Sequence, residues 1–391
     1  MVVIGGGPAG LACAAELADR GISVAILEKR GTLGGRVQDL SCKGLVHCRQ
    51  CDVCRVHRLR SQVLASELIS VHSSVELEQL ERNNGRYRFD LVRPKDAIDH
   101  GRCSRCGKCV EACPTGAMTR AGGKIELDRG SCRSIQGLEC ERCVSVCPTG
   151  AIDLFGEDHL SVNGNAVVVA TGALEFPATA EKRLGWGEVP GVITSMELES
   201  FLEGRREAEI GNGKKTAFVL CVGSRSSKLG TLKCSSVCCK YSLRQALALK
   251  ERFPKLSITL FMMDWRGLGS DDPLLKELAS TDVRVVRSRP AEIFAENGRP
   301  MVRYATGDEV FCQSFDSVVL SVGLMPDHDD DTLSQLAIPR DPWGDLKDDH
   351  CGDRGIFLAG SCRGSLDIGH CVADGILAAH RTAKHLEADH E

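Results

Sequence analysis

The chain has 391 residues, 42% apolar and 26% charged, with a formal net charge of −4 and 21 cysteines. This composition excludes a disordered chain, and the charge leaves nothing over to neutralise nucleic-acid phosphates. Cysteine at this density means a disulfide scaffold or a thiolate metal protein. The chain enters a fold motif at Met1 without a leader pattern and has no run of ~18 apolar residues for a membrane span. A chain this long also buries its own core, so the expectation is a cytoplasmic protein with reduced, metal-binding thiols.

Val2-Val3-Ile4 reads as a buried strand, Leu11 to about Arg20 as a helix, and Ser23 to Leu27 as a second strand ending in Glu28. Between the first strand and the helix stands Gly5-Gly6-Gly7-Pro8-Ala9-Gly10, a G-x-G-x-x-G run in its strand–turn–helix setting. Gly5 permits the tight turn, Gly7 lets a pyrophosphate approach the backbone, and Gly10 lets helix pack on strand. The helix start at Pro8 and Ala9 offers amides and a positive dipole, and Glu28 is placed to accept from a ribose hydroxyl. Lys29-Arg30-Gly31-Thr32-Leu33-Gly34-Gly35-Arg36 follows. It carries the glycine pair Gly34-Gly35 that two-dinucleotide-binding flavoproteins set beside the FAD pyrophosphate. Their second signature, a strand into Ala-Thr-Gly, is resembled by Val167 to Val169 with Ala170-Thr171-Gly172. Their third is resembled by Gly355 to Gly360, with Ser361 where they have Asp, and with Asp367 and Ile368 at the helix that follows. FAD is therefore the expected cofactor.

After the glycine pair comes Cys42-x5-Cys48-x2-Cys51-x2-Cys54, with Arg49, Arg55, Arg58 and Arg60 around it. Cationic surroundings suit an anionic tetrathiolate cluster, and spacing alone leaves zinc as the rival. His47 and His57 read as exposed loop histidines. Next is Cys103-x2-Cys106-x2-Cys109-x3-Cys113-Pro114, the bacterial ferredoxin run, followed by Cys132-x7-Cys140-x2-Cys143-x3-Cys147-Pro148. The halves repeat: Cys109 to Ala117 aligns with Cys143 to Ala151. Exchange of fourth ligands puts Cys103, Cys106, Cys109 and Cys147 on one [4Fe–4S] cluster, and Cys132, Cys140, Cys143 and Cys113 on the other. The x7 gap makes Cys132 the weakest of these assignments.

The strand Thr216 to Leu220 runs into Cys221-Val222-Gly223-Ser224-Arg225-Ser226-Ser227. One glycine remains where a nicotinamide phosphate loop needs two or three, so no NAD(P)H site is expected. Cys221-x12-Cys234-x3-Cys238-Cys239 forms a fourth set, with Cys238 and Cys239 at the N-terminal end of a helix to about Arg252. Spacing alone leaves it a redox or metal site. Near the flavin end, His370, Cys362 and Cys371 are weak catalytic candidates, with core packing the plainer reading for both thiols. Cys13, Cys312 and Cys351 have no assigned role, and Asp327 to Asp331 reads as a solvated loop.

Taken together, the FAD signatures, the cysteine cluster after Gly34-Gly35, the double ferredoxin run, Cys221-Val222-Gly223-Ser224-Arg225 and Cys234-Ser235-Ser236-Val237-Cys238-Cys239 resemble the heterodisulfide reductase A subunit family. The resemblance implies that Cys221, Cys234, Cys238 and Cys239 bind a [4Fe–4S] cluster, for about four clusters in all. It also implies a flavin that splits or merges electron pairs between acceptors of unequal potential. The implied partners are other iron–sulfur subunits of such a complex and a ferredoxin, hydrogenase or dehydrogenase type of donor, with the chain as a homodimer. The chain closes at Glu391 soon after the last FAD helix, so the family's N-terminal and C-terminal modules are expected to be missing. Shorter relatives serve sulfur-oxidising or quinone-linked complexes, and a standalone NAD(P)H-dependent flavin reductase is a further alternative.

The expected architecture is α/β. A discontinuous, thioredoxin-reductase-like, Rossmann-like FAD-binding domain takes residues 1–93, 156–213 and 322–391. An α+β double [4Fe–4S] ferredoxin is inserted at 94–155, and a degenerate nucleotide-binding-like domain takes 214–321. Strands are expected near 216–221, 257–263, 283–287 and 317–322, with helices near 238–252 and 273–281.

Overall fold

The computed structural model describes residues 1–42, 48–229, 231–327, 331–349 and 351–388, and for Asp331 and Thr332 the backbone alone. His47 and positions 328–330 of the expected acidic loop lie outside the described residues. The chain divides into two compact units. The first comprises residues 1–73, 82–87 and 164–391, the second residues 74–81 and 88–163.

The first unit contains two five-stranded parallel sheets. In one, Ile356–Leu358, Val167–Val169, Val2–Ile4, Val24–Glu28 and Ile69–Ser73 lie side by side in that order. Four of these five strands are buried along their whole length, which is why they read as continuous apolar runs without alternation. Helix Pro8–Asp19 follows the first strand and begins three residues earlier than the apolar pattern predicts. Proline at its start has its φ preset and needs no N–H partner, so the end of the glycine loop is already helical. Its buried face, Leu11 to Leu17, shares a core with Ile26, Val168 and the last helix, Ile368–Ala388.

The second sheet has the order Val192–Thr194, Ser317–Val322, Lys215–Val222, Ser257–Met262, Arg284–Arg287. The four expected strands and the helices Cys238–Arg252 and Pro273–Ala279 fall close to their expected places. Val192–Thr194 extends this sheet from well before the expected boundary at 214, because a three-residue strand carries too little pattern to declare its partner. The meander Glu292–Glu296, Arg299–Thr306, Glu309–Ser314 also went unforeseen.

The second unit carries the repeated cysteine runs. Short helices Lys108–Ala112 and Arg142–Ser145 sit at equivalent places in the two halves, with a hairpin of Met118–Ala121 and Lys124–Leu127. Its core is small: Ile98, Met118, Ile125, Ile152 and Leu154 pack with Cys109 and Cys143. A three-stranded sheet of Glu76–Asn83, Arg86–Pro94 and Glu157–Gly164 contributes most of its residues to this unit. The expected insert limits, 94 and 155, therefore fall inside the unit. Arg86–Pro94 is the middle strand of this sheet and does not join the parallel sheets.

Candidate dinucleotide cradle and thiolate sites

Glycine at two positions of the first loop is demanded by the protein itself. A Cβ on Gly5, at φ +101°, would lie 2.4 Å from the Ala170 carbonyl oxygen, and one on Gly10 would lie 1.9 Å from the Gly5 oxygen. Gly7 differs, because a Cβ there would meet nothing within 4 Å, and the same holds for Gly172. At Gly172 the backbone alone, at φ +80°, calls for glycine, but at Gly7 neither packing nor φ does, so the open space before Gly7 is available to a ligand backbone such as a pyrophosphate. The Thr171 hydroxyl beside Gly172 is buried with no partner. Open cradle and orphaned hydroxyl together fit a bound dinucleotide.

Glu28, 7% exposed, already accepts from the Gly6 amide at 2.7 Å and from the Arg30 amide at 2.8 Å, so it staples the loop whatever else it binds. Lys29 is exposed. Gly34 donates to the Gly6 oxygen at 2.7 Å, bringing the Gly34-Gly35 turn against the loop, and Arg36 pairs with Glu175 at 2.6 Å. Burial pulls the Arg36 pKa down and pushes the Glu175 carboxyl up. At the third signature, Gly360 donates to Asp374 at 2.7 Å, and Ala9 lies against the last helix so closely that a Cβ on Gly375 would come within 2.2 Å of its carbonyl oxygen. Asp374 and Gly375 were missed by sequence reasoning; a glycine inside a long helix was the available signal. Ser361 bonds the Leu366 amide at 3.3 Å and the Cys371 sulfur at 3.3 Å. Asp367 is engaged by Lys240 at 2.9 Å and by the His370 ring at 2.6 Å. Burial opposes its charge, but these bonds and the His370 amide outweigh it and hold its pKa at about 2. Ile368 opens the last helix and packs on the core.

In the ferredoxin-like unit, Cys103, Cys106, Cys109 and Cys147 line one small cavity with Pro148 and Ile125. Cys103 and Cys106 act electrostatically on Cys109, as Cys132 and Cys140 do on Cys143. Amides point at sulfur: Ala151 donates to Cys147 at 3.3 Å and Met118 to Cys113 at 3.5 Å. These bonds, against the opposing effect of burial, lower both pKa values.

The fourth set sits in the core of the second sheet. Cys221, Cys238 and Cys239 are each 1–2% exposed. The hydrogen bond of Cys221 to Cys238, and then burial, push the Cys221 pKa up, whereas Cys239 accepts from Cys238 and is lowered despite burial. Cys234 receives the Ser236 amide at 3.4 Å. Six of the ten non-glycine residues with left-handed φ among the described residues lie in the cysteine motifs: Gln50, Asp52, Arg105, Cys221, Arg225 and Ser236. Each such residue costs on the order of 1 kcal/mol and persists where its surroundings over-determine it, a pattern that concentrates at functional sites.

Beside this set, the loop after Cys221 is packed against its own chain. A Cβ on Gly223 would lie 1.9 Å from the Phe176 ring, and the Gly223 amide donates to the buried Glu181 carboxylate at 3.3 Å. Arg183 and Arg289 neutralise that carboxylate.

The remaining thiolate motif has Cys42, Cys48 and Cys54 exposed and Cys51 half-buried, and Cys48 accepts from the Gln50 amide at 3.4 Å. His57 is exposed on helix Val53–Ala65. Among the described residues no group of three or more His, Cys, Asp or Glu side chains is placed to hold a single metal ion, and no disulfide joins two cysteines. Cys362 is buried against the Val169 and Ala359 carbonyl oxygens, and burial pushes its thiol up to about 12; Cys371 is likewise raised. Neither is poised as a thiolate nucleophile. His370 is exposed and bound to Asp367.

Two family models match: an NAD(P)-binding Rossmann-like domain over residues 3–56 and a 4Fe-4S dicluster domain over residues 102–151. The chain is 31% identical to an iron-sulfur A subunit of the CoB–CoM heterodisulfide reductase of Methanopyrus kandleri, over 99% of this chain and 64% of that protein. It is 29% identical to the A subunit of the H2:CoB-CoM heterodisulfide,ferredoxin reductase of Methanothermobacter marburgensis, over 98% and 63%. It is 28% identical to the A subunit of the ferredoxin:CoB-CoM heterodisulfide reductase of Methanosarcina mazei, over 100% and 54%. The chain thus spans 54–64% of the length of these relatives. In fold it resembles the thioredoxin reductases of T. acidophilum and Lactococcus lactis. The TM-score is 0.56 for each, at 15% and 18% identity, over 99% of this chain and 97–98% of theirs. A thioredoxin-reductase-like frame and a dicluster ferredoxin domain thus coexist in one chain, and over nearly its whole length that chain is a homologue of the heterodisulfide reductase A subunits.

Proposed function

We propose that this chain is the FAD- and [4Fe–4S]-containing electron-transfer subunit of a heterodisulfide-reductase-like complex, working in the reducing cytoplasm and passing electrons between its flavin and the iron–sulfur subunits of its partners. The observation that carries this reading is the presence, in one chain, of an open dinucleotide cradle at Gly7 and Gly172 and a cavity lined by Cys103, Cys106, Cys109 and Cys147. Bound FAD would exchange electrons in pairs, and each cluster one at a time.

The chain's own part is binding and tuning. The first helix would present its amides to a bound pyrophosphate, and the Arg36–Glu175 pair borders the Gly34-Gly35 turn. Amides aimed at Cys48, Cys113, Cys147 and Cys234 stabilise negative charge on sulfur and raise the reduction potential of whatever those thiolates hold. Cys42 to Cys54 and Cys221 to Cys239 complete a proposed complement of about four clusters. Standalone nicotinamide-driven reduction is disfavoured by Phe176 and Glu181, which occupy the second phosphate loop.

Anaerobic purification tests the reading, with iron, sulfide and flavin counted per chain and co-purifying proteins identified. It predicts one FAD, about sixteen iron atoms, and iron–sulfur partner proteins. Zinc in place of iron, or rapid bleaching of the flavin by NADH, would overturn it.

A further inference from the structure

The Cys48–Cys54 segment follows the first glycine loops in sequence, yet its strongest partners belong to the second sheet's helices. Arg49 has a side chain 2% exposed and donates to Glu277 at 2.6 and 3.1 Å and to Glu251 at 2.8 Å. Arg244 reaches back, donating to the Arg49 carbonyl oxygen at 3.0 Å and to that of Gln50 at 2.7 Å. Arg244 and Glu251 both lie on helix Cys238–Arg252, whose first turn carries two thiols of the fourth set. Just before the segment, Ser41 donates its amide and hydroxyl to the buried Glu199 carboxylate at 2.9 and 2.8 Å, and Gln245 of the same helix donates to Glu199 at 2.6 Å. At its far side the Asp52 carboxylate crowds Gly369 in the first turn of the last helix, where a Cβ would come within 2.9 Å. Lys240, again on helix Cys238–Arg252, meets Asp367 beside it.

A buried guanidinium is strongly destabilising unless it is fully paired, so a loop that merely covered the surface would be more stable without it. Rotating one sheet's lobe on the other would part Arg49 from Glu251 and Glu277 and break the pairing of three charges. We propose that Arg49 is a positioning residue. It locks the Cys48–Cys54 loop to the helix bearing Cys238 and Cys239, so the two thiolate sites keep one separation beside the start of the last helix, and one-electron exchange between them needs no lobe rotation. The functional half of this statement rests on the electron-transfer reading above; the clamp itself does not.

The test uses the full chain, purified anaerobically, as wild type, Arg49→Lys, Arg49→Met, and a triple variant Arg49→Met/Glu251→Gln/Glu277→Gln. The triple variant removes all three charges together and so leaves no buried charge unpaired, unlike the single Met variant. Hydrogen exchange over residues 48–56 is expected to speed up about tenfold or more in the Met and triple variants, with a smaller change in the Lys variant. The midpoint potential of the loop's cluster, read by paramagnetic resonance, should move in the same variants while the signals from residues 102–151 stay in place. Unchanged exchange at 48–56 in the triple variant would overturn the clamp, as would loosening that extends equally to 102–151. If the loop carries no iron, the metal reading fails on the iron count and the exchange data still decide the clamp.

Discussion

The loops Gly5–Gly10 and Val222–Arg225 occupy the same structural position, after a central strand of a five-stranded parallel sheet and ahead of a helix, and they have been put to opposite uses. The first is kept open by its glycines: Gly5 and Gly10 are forced by backbone contacts, while Gly7 faces open space. The second is packed by its own chain: Phe176 lies on Gly223, Glu181 accepts from the Gly223 amide, and the last two strand residues are Cys221 and Val222. A parallel sheet delivers a loop and a helix N-terminus at its carboxyl edge. What that edge binds is decided by whether side chains leave the space open or replace the ligand with their own charge and rings.

The largest effect should come from giving each loop a methyl group it cannot hold. Gly10→Ala drives a Cβ into a backbone carbonyl, which cannot retreat, and should cost about 3 kcal/mol or more and abolish flavin binding. Gly223→Ala drives its Cβ into a side chain. Phe176 is itself buried core, so its removal carries its own cost, but in a Phe176→Ala background the added cost of Gly223→Ala should fall to about 1–2 kcal/mol, that of a non-glycine residue at φ +71°. Urea denaturation of Gly223→Ala, Phe176→Ala and the double variant checks this, and a Gly223→Ala cost no smaller in the Phe176→Ala background than in wild type would break the contrast between the loops.

A smaller and more selective effect is expected at Gly7. Gly7→Ala meets no protein atom within 4 Å, so the chain should fold with its stability within about 0.5 kcal/mol of wild type while flavin content falls on the order of tenfold or more. The flavin-to-protein absorbance ratio and a thermal melt of the flavin-free protein measure the two halves separately. Full flavin content in this variant would mean that the open space at Gly7 is not where the pyrophosphate lies.

The two loops also differ in how much of them could be read from sequence. Gly5, Gly10 and the strands around them were legible because turn chemistry and continuous apolar runs are local properties. The two cysteine runs of the dicluster ferredoxin domain were legible for the same reason, each being a short spacing with its own chemistry. Phe176 and Glu181 were not, since they reach Gly223 from more than 40 residues away and neither carries a pattern of its own. Arg49 is the extreme case: its partners Glu251 and Glu277 lie on helices of the other sheet, and as a residue it reads like the exposed Arg55 and Arg58 nearby. That Glu76–Asn83, Arg86–Pro94 and Glu157–Gly164 form a sheet of their own was not legible either, because an alternating strand states which face is buried but not which sheet it joins.

The smallest effect concerns the tie between the loops' two lobes at Lys240 and Asp367. Asp367 is depressed from 3.8 to about 2, because its bonds to the His370 amide, Lys240 and the His370 ring outweigh burial. A carboxylate with a folded pKa below its unfolded value adds stability above the unfolded value, and that stability is lost as pH falls through the folded one. Its side chain is 23% exposed, so solvent screening reduces the full linkage value to about 1–2 kcal/mol. Asp367→Asn should therefore lower stability by that amount near pH 7. The gap to wild type should hold down to about pH 5, narrow below about pH 4, and close toward pH 2, where the wild-type carboxylate is itself protonated. Urea melts of both proteins across that range measure the gap directly. A gap that stayed constant down to the lowest pH would mean that Asp367 acts through packing and not through its charge, and the Lys240 contact would then contribute nothing to holding the second loop's helix against the start of the last one.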